Sequence, residues 1–458
     1  MAAERYNLIV LGGGPGGYTA ALTAARHKAR VALVEAQAIG GTCLHWGCIP
    51  VKSLLHSAPT LDSPTPGGDW GTHWKASQKR MREQVSALMQ GLTKTLKQAG
   101  VALVEGKGYV ASPNSVRVGG ALLETDAIIL ATGSKPATIP AAGLGDESSS
   151  LENWVVGNSN DFLSLDDLPK SLLIVGAGAI GCEFADLMKR YGVEVCLAEM
   201  LPQILPHFDM QIAQTLSRSF KKRGIEVRTG TGLNGITPDR SGVLATFQDG
   251  SSFSTDRVLV AVGRKPRIED EVIAGVNIEI SDGAVVVNEH FQTSVPNLFA
   301  VGDMIGGAYL LAHAAEAQGE HAALTALGMT TSGKSRSTML IPACVYTEPE
   351  VATVGLSRDQ AKAKGLECVE GKAYYLANGR AVATEQAEGV AKVVAQSKTG
   401  QVIGVHICGA FATELIAAAT LAMNLNGTVA DMAGTVWAHP TCSEVLKQAA
   451  LSCLDQLK

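Results

Sequence analysis

Along the chain, short apolar and β-branched runs alternate with stretches whose apolar positions recur at helical spacing, and glycine-rich turns separate the two. Tyr6 to Leu11 is the first such run. It enters GGGPGG at Gly12 to Gly17, continues as the helix-like YTAALTAARHKA, and returns as a second strand, RVALVEA. The same order recurs at Ser171 to Glu199, SLLIVGAGAIGCEFADLMKRYGVEVCLAE. Each copy closes on a similar strand and turn, DAIILATGSKP at Asp126 to Pro136 and DRVLVAVGRKP at Asp256 to Pro266. A whole domain is therefore repeated, not a motif alone. Between its first motif glycine and its closing Asp the first copy is the longer, with room for an insertion just beyond its second strand.

The stretch from Gly143 to Asp166, rich in Gly, Ser, Asn and Asp, reads as a linker between the copies. After Pro266, TSVPNLFAVGDMIGGAYLLAHAAEAQGEHAA predicts a strand, a Gly-Asp turn and a helix starting near Leu311. From about Ser337 the pattern becomes strands followed by helices, ending in HPTCSEVLKQAALSCL, as expected of a separate α+β domain. The expected fold is α/β with two Rossmann-like dinucleotide-binding domains and a C-terminal α+β domain. Its boundaries fall at 1–145, 146–266, a central segment 267–336 that completes the first domain, and 337–458.

In each copy the glycines stand as G-x-G-x-x-G: Gly12, Gly14 and Gly17 in the first, Gly176, Gly178 and Gly181 in the second. Each second strand ends in an acid, Glu35 and Glu199. Such glycines permit a tight turn and close approach to a pyrophosphate at a helix N-terminus, and the acid accepts from ribose hydroxyls. Two dinucleotide sites in one chain suggest two dinucleotides exchanging electrons.

Composition narrows the field. With 458 residues, 46% hydrophobic, 18% charged and a net charge of −5, the chain has the bulk for several cores and no basic face suited to nucleic acid. No apolar run reaches the roughly 18 to 20 residues of a membrane span. The opening MAAERYNLIVLGGG runs into a strand with none of the parts of a secretory signal, so a cytoplasmic protein is expected. In that compartment nine cysteines read as reduced thiols, and a disulfide would be catalytic before it was structural. Cys43 and Cys48 stand in GTCLHWGCIPVK just beyond the second strand. Structural thiols or part of a metal site are the bland alternatives, although no second pair at zinc spacing exists and no metal is expected. Pro50 favours a helix starting at Cys48, and a helix N-terminus stabilises a thiolate by roughly 0.3 to 2 kcal/mol.

GGGPGGYTAA, GGTCLHWGCIPVKSLL, ATGSKP, GAGAIGCEFA, AVGRKP, FAVGD, LAHAAEAQGE and AHPTCSE occur in this order across essentially the full chain. The sequence thereby resembles the flavin-dependent pyridine nucleotide disulfide oxidoreductases, and within them most closely the dihydrolipoamide-oxidising branch. The resemblance implies FAD at the first glycine-rich site, with Thr132, Gly133, Asp303 and Ala312 contributing and Asp303 on the ribityl chain. It implies NAD at the second, with Gly263. It makes Cys43–Cys48 a redox-active disulfide, Cys48 the flavin-facing charge-transfer thiolate and Cys43 the sulfur that exchanges with substrate. Lys52 would place an ammonium near the flavin, with Glu183 as its ion-pair partner. His439 would take a thiol proton and Glu444 would fix its tautomer. His313 reads equally well as a flavin neighbour or as a packing residue.

The last domain would form a homodimer in which each base faces its partner's disulfide. The expected reaction is NAD-dependent oxidation of protein-bound dihydrolipoamide. The sequence opens on the flavin domain, so no fused lipoyl domain is expected and the lipoyl carrier, of the 2-oxoacid dehydrogenase or glycine cleavage type, comes from another protein. A glutathione-type reductase fits less well, because Glu199 is followed by MLPQIL where NADP enzymes carry positive charge. Mercuric reductase usually has a C-terminal cysteine pair, and only Cys453 lies near this end. A structural flavoprotein would have no use for the thiol pair or for His439 with Glu444. The sequence departs from the family at His45, Trp46, Val51 and Cys442, and in the Pro-, Gly- and Trp-rich loop His56 to Trp74. Cys182, Cys196, Cys344, Cys368, Cys408 and Cys453 read as core or neutral thiols.

Overall fold

The computed structural model describes residues 5–59, 69–139, 141, 155–239, 242–307, 310–329 and 335–457. The chain divides into two compact units. The first comprises Met1–His56, Lys75–Ala137 and Arg264–Met339; the second comprises Ser57–Trp74, Thr138–Gly263 and Leu340–Lys458.

The first unit is built on a seven-stranded sheet. Its central strand, Arg5–Leu11, pairs in parallel with Val31–Glu35 on one side and Ala121–Leu130 on the other. Ala102–Glu105 extends the sheet beyond Val31–Glu35, and Leu298–Ala300 pairs in parallel with Ala121–Leu130. Central parallel strands are covered on both faces, so they read as near-continuous apolar runs. Leu8, Ile9 and Val10 are accordingly fully buried among Leu33, Ile128 and Leu298. Leu298–Ala300 thus adds a strand to the first sheet, and the strand Arg264–Pro266 pairs with Ser134–Pro136. The helix expected near Leu311 runs Ala312–Ala326, and the Gly-Asp turn before it is a 3₁₀ turn, Gly302–Ile305.

In the second unit a five-stranded parallel sheet carries the repeated motif, ordered Glu226–Thr229, Glu194–Glu199, Ser171–Val175, Arg257–Val260 and Val156–Gly157. The C-terminal domain is a five-stranded antiparallel sheet backed by the helices Ala412–Asn424 and Glu444–Leu454. Of the expected linker, 143–154 lie outside the described residues. The rest forms the short strand Val156–Gly157 and a helix, Ser159–Leu163, whose Asn158 and Asp161 make a reciprocal capping box.

The segment His56 to Trp74 is less of a loop than its composition suggests. Residues 60–68 lie outside the described part, but the helix Cys48–Ser57 includes His56, and Trp70 to Trp74 already belong to the long helix Trp70–Gln98. Asp69 starts that helix by accepting from the Thr72 amide at 3.0 Å. Trp74 is fully buried. Its ring meets Tyr191 edge-on at 5.2 Å, and its indole N–H donates to the Leu165 carbonyl at 2.9 Å. The tryptophans that looked like loop punctuation therefore anchor the start of this helix within the second unit.

A buried ionic chain also joins parts of the second unit. Lys392, on the strand Val390–Gln396, reaches Asp209 at 2.6 Å and Glu370 at 2.8 Å, all three nearly inaccessible. Asp209 also caps the helix Met210–Lys222. Burial alone would push its carboxyl up, but the hydrogen bond and charge of Lys392 outweigh burial and hold it below the ordinary carboxylate range. Protons therefore bind Asp209 more tightly in the unfolded chain, so its contribution to stability is complete above roughly pH 4 and is lost as pH falls through the lower folded value. The expected outcome is that the urea midpoint of the native protein drops as the pH is lowered from about 4.5 to 2.5. Asp209→Asn, which retains a capping side chain, flattens that drop; an unchanged slope would remove Asp209 from the account.

Candidate active site

The two glycine-rich turns share one wiring. Gly12 and Gly176 have left-handed backbones, φ 105° and 99°. A methyl group at Gly17 would lie 1.8 Å from the Gly12 carbonyl oxygen, and one at Gly181 would lie 1.9 Å from that of Gly176. Only glycine allows each helix to rise so close to its turn. The terminal acids close both turns alike. Glu35 accepts from the amides of Gly13 at 2.6 Å and Gln37 at 2.7 Å, and Glu199 from those of Ala177 at 2.8 Å and Leu201 at 3.0 Å.

The helices Pro15–Arg26 and Ala179–Arg190 start behind Gly14 and Gly178, with no side chain capping either N-terminus. The space a side chain would fill at Gly178 is open, and at Gly14 the nearest atom is 3.8 Å away. Uncapped amides facing open space suit a pyrophosphate, so each site fits a dinucleotide.

Around the first site Thr132 donates to the Arg267 carbonyl at 2.7 Å, and Gly133 takes a positive φ of 73°. Ser134 donates to Asp303, and the Gly302 amide donates to Gln318 at 2.8 Å. Ala312 is the first residue of its helix, while His313 beside it is exposed. Sequence reasoning missed Arg264, although it lies in the repeated closing turn. Its guanidinium donates to the Ser134 hydroxyl at 2.7 Å and the Ser134 carbonyl at 2.9 Å, and burial lowers its pKa from the usual arginine value. A half-buried cation at the edge of a nucleotide site is the kind of group an anionic cofactor would hold. Gly263 just before it adopts φ 115°.

The cysteine loop folds as two short helices, Gly41–Trp46 and Cys48–Ser57, with Gly47 between. Gly41 docks on the first turn so closely that a methyl group there would lie 2.6 Å from the Gly14 Cα. The loop is thereby tied to the first nucleotide motif. His45 reaches back to the Ile39 carbonyl at 2.9 Å. Cys48 is the first residue of its helix, and Lys52, one turn further, shares its face. Cys43 and Cys48 are reduced thiols within hydrogen-bonding reach of each other. The neighbouring Cys48 sulfur is the largest cause, and burial the next, of a Cys43 thiol held far above its usual range, with Lys52 pulling the other way. Negative charge on Cys43 is thereby disfavoured.

In the second unit, His439 lies just before the helix Glu444–Leu454 and is mostly exposed, with 76% of its side chain accessible. Its Nδ1 meets the two Glu444 oxygens at 3.0 and 3.2 Å, and the Thr441 amide donates to Glu444 at 3.1 Å. The His439 contact, then the Thr441 amide, hold the Glu444 carboxyl below its ordinary value. With Nδ1–H committed to the carboxylate, Nε2 is left as the basic nitrogen. Glu183 is buried in the helix Ala179–Arg190 and accepts from the Tyr346 amide at 3.0 Å. Burial pushes up the thiols of Cys182, Cys196, Cys408, Cys442 and Cys453, which keeps them neutral. Cys442 packs in the core of the C-terminal domain.

Comparison with known proteins agrees with this geometry. Residues 6–319 match the family profile described as pyridine nucleotide-disulphide oxidoreductase, and residues 341–450 match its dimerisation domain. The chain is 37% identical to a dihydrolipoyl dehydrogenase of Bacillus subtilis, the match covering 98% of each protein. It is 35% identical to one of Haloferax volcanii over 98% of this chain and 96% of that one. Among solved structures, LpdA from Mycobacterium tuberculosis superposes with a TM-score of 0.86 at 27% identity, covering 98% of this chain and 99% of that one. The fold is also that of the flavoprotein disulfide reductase RclA from Escherichia coli, TM-score 0.86 at 24% identity, covering 98% and 99% of the two chains. The family uses FAD and NAD. No helix among the described residues is long and apolar enough to cross a membrane.

The pairing of Cys43 with Cys48 yields a direct expectation. Mild oxidation of the purified protein links these two cysteines and leaves the other seven alkylatable, as read by differential alkylation and peptide mass spectrometry. A different linked pair would displace the site.

Proposed function

The chain belongs to the pyridine nucleotide-disulphide oxidoreductases, and from that premise we propose that it is a dihydrolipoyl dehydrogenase, oxidising the dihydrolipoyl group of a carrier protein with NAD as final acceptor. The observation that carries the reading is the thiol pair at the start of two short helices, docked on the first nucleotide turn through Gly41 and Gly14.

One thiol of the substrate attacks the Cys43 sulfur of the disulfide, and His439 of the second copy takes its proton through Nε2. The Cys43–Cys48 bond breaks, and Cys48 leaves as a thiolate at the helix N-terminus with Lys52 one turn away. The second substrate thiol then attacks the substrate sulfur bound to Cys43, releasing the cyclic disulfide and leaving Cys43 as a thiol. Two electrons have moved from the dithiol to the cysteine pair. FAD and NAD, when bound, supply the successive acceptors for that electron pair. FAD is held by Gly12, Gly14, Gly17, Glu35, Thr132, Gly133, Asp303 and Ala312; NAD by Gly176, Gly178, Gly181, Glu199 and Gly263. Glu444 keeps His439 in the tautomer that the first step needs. The cytoplasm suits a chain with nine cysteines and one catalytic pair.

A steady-state assay with free dihydrolipoamide tests the reaction and its acceptor together. Glu199 accepts from a free ribose 2′-hydroxyl and repels a 2′-phosphate, so kcat/KM should favour NAD over NADP by on the order of tenfold or more. No turnover of dihydrolipoamide, or a preference for NADP, defeats the assignment.

The dimerisation domain supports a two-fold dimer, and the proposed base acts across it. Coexpressed Cys48→Ser and His439→Ala chains should give a mixed dimer with both defects in one site and the other intact. Its activity should be about half that of the native dimer, while each parent homodimer stays nearly inactive. A mixed dimer as inactive as its parents would place the base on the same chain as the thiols it serves.

A further inference from the structure

Tyr18 lies in GGGPGGYTAA and Glu316 in LAHAAEAQGE, and neither has been given a role above, yet they meet beside the thiol pair. Tyr18 lies one turn into the helix Pro15–Arg26, its amide donating to the Gly14 carbonyl at 2.9 Å. Its hydroxyl donates to Glu316, on the helix Ala312–Ala326, at 2.5 Å. The two helices cannot slide to break this bond, because they touch at glycine: a methyl group at Gly319 would lie 2.2 Å from the Gly16 carbonyl oxygen. Gly14, one turn before Tyr18, is the point on which the cysteine loop docks through Gly41.

The charges around the pair are polarised. Cys43 faces the Cys48 sulfur, the Lys52 ammonium and the Glu316 carboxylate. Cys48 begins a helix, carries Lys52 on its own helical face and faces the guanidinium of Arg264. Both thiols act on the Tyr18 phenol, which burial first and Glu316 second hold far above its usual range, so it stays a neutral donor. A thiolate on Cys43 would meet a carboxylate that Tyr18 prevents from swinging away, whereas one on Cys48 gains a helix N-terminus and two cations.

We propose that Tyr18 and Glu316 form a positioning dyad that keeps the proton of the reduced pair on Cys43 and so directs the negative charge to Cys48. The inference rests on the redox pair of the proposed function and is independent of which disulfide is the substrate. Glu316 touches no reacting atom; it acts through its field, and Tyr18 acts by fixing where that field originates.

The protein is reduced anaerobically with dithiothreitol, freed of reductant and pulsed with iodoacetamide at several values from about pH 6 to pH 9. Alkylation of Cys43 and of Cys48 is then quantified separately by peptide mass spectrometry. Glu316→Gln, whose amide oxygen still accepts from Tyr18 but carries no charge, should raise the Cys43 rate at neutral pH by about three- to tenfold. The Cys48 rate should stay within about twofold. Tyr18→Phe, which frees the carboxylate without removing it, should act in the same direction by less, and Glu316→Asp should fall between glutamine and the native residue. Glu316→Gln with the native Cys43 rate, or with both cysteines accelerated alike, overturns the proposal, the latter because it would report a loosened loop. Failure to turn over dihydrolipoamide would refute the substrate and leave this alkylation ratio standing.

Discussion

A methyl group at position 17 would lie 1.8 Å from the Gly12 carbonyl oxygen, and one at position 181 would lie 1.9 Å from that of Gly176. These two contacts bring each helix so close to its turn that the amides at its start face the open cradle, and each terminal acid can clip across the turn to two backbone N–H groups. The rest of the first unit is built on this approach. Gly41 packs against Gly14, so the cysteine loop is positioned by the nucleotide turn itself. The thiol pair and the first glycine-rich turn are consequently one structure, and a change that opened the turn would displace both.

Within that frame the chemistry is a matter of where one negative charge is stable. A helix N-terminus, an ammonium at the i+4 position and a half-buried guanidinium act on Cys48, and a carboxylate acts on Cys43. The remaining thiols follow the opposite rule. For five of them burial is the largest influence, outweighs the arginines near Cys196, Cys408 and Cys442, and pushes the thiols towards the neutral form. Selectivity for two cysteines among nine arises from electrostatic surroundings as well as from spacing.

The second unit treats buried charge differently. Lys392 is shared between Asp209 and Glu370, and Glu183 takes a backbone amide from Tyr346. Buried ions of this kind are costly unless paired, so their partners fix the register between elements that apolar packing alone would leave free to slide. Trp74 does the same by shape and by one hydrogen bond, seating the first turn of a 29-residue helix against Tyr191 and the Leu165 carbonyl.

The local part of this design was legible from the sequence. Short apolar and β-branched runs, two G-x-G-x-x-G turns with terminal acids, a proline near the start of the Cys48 helix and a histidine five residues before a glutamate are all short-range signals, because each depends on backbone conformations that neighbouring residues dictate. The repeat of Gly-Ser-Lys-Pro by Gly-Arg-Lys-Pro was visible too, but not that the arginine would turn back to Ser134 and become half-buried there, since that contact spans residues far apart in the chain. The Trp-rich stretch after the cysteines looked like a loop because proline and glycine dominate its composition, whereas burial of Trp74 by distant residues decided that its end is helical. Tyr18 and Glu316 stand in quoted motifs, but nothing in those motifs signals that the two meet. One is a helix residue after a nucleotide motif and the other a helix residue nearly three hundred positions later, and only the glycine contact between their helices brings the hydroxyl to the carboxylate. Sequence by itself determined which residues could do the chemistry; tertiary structure decided which charges each thiol feels, because electrostatic fields follow distance in space and not separation along the chain.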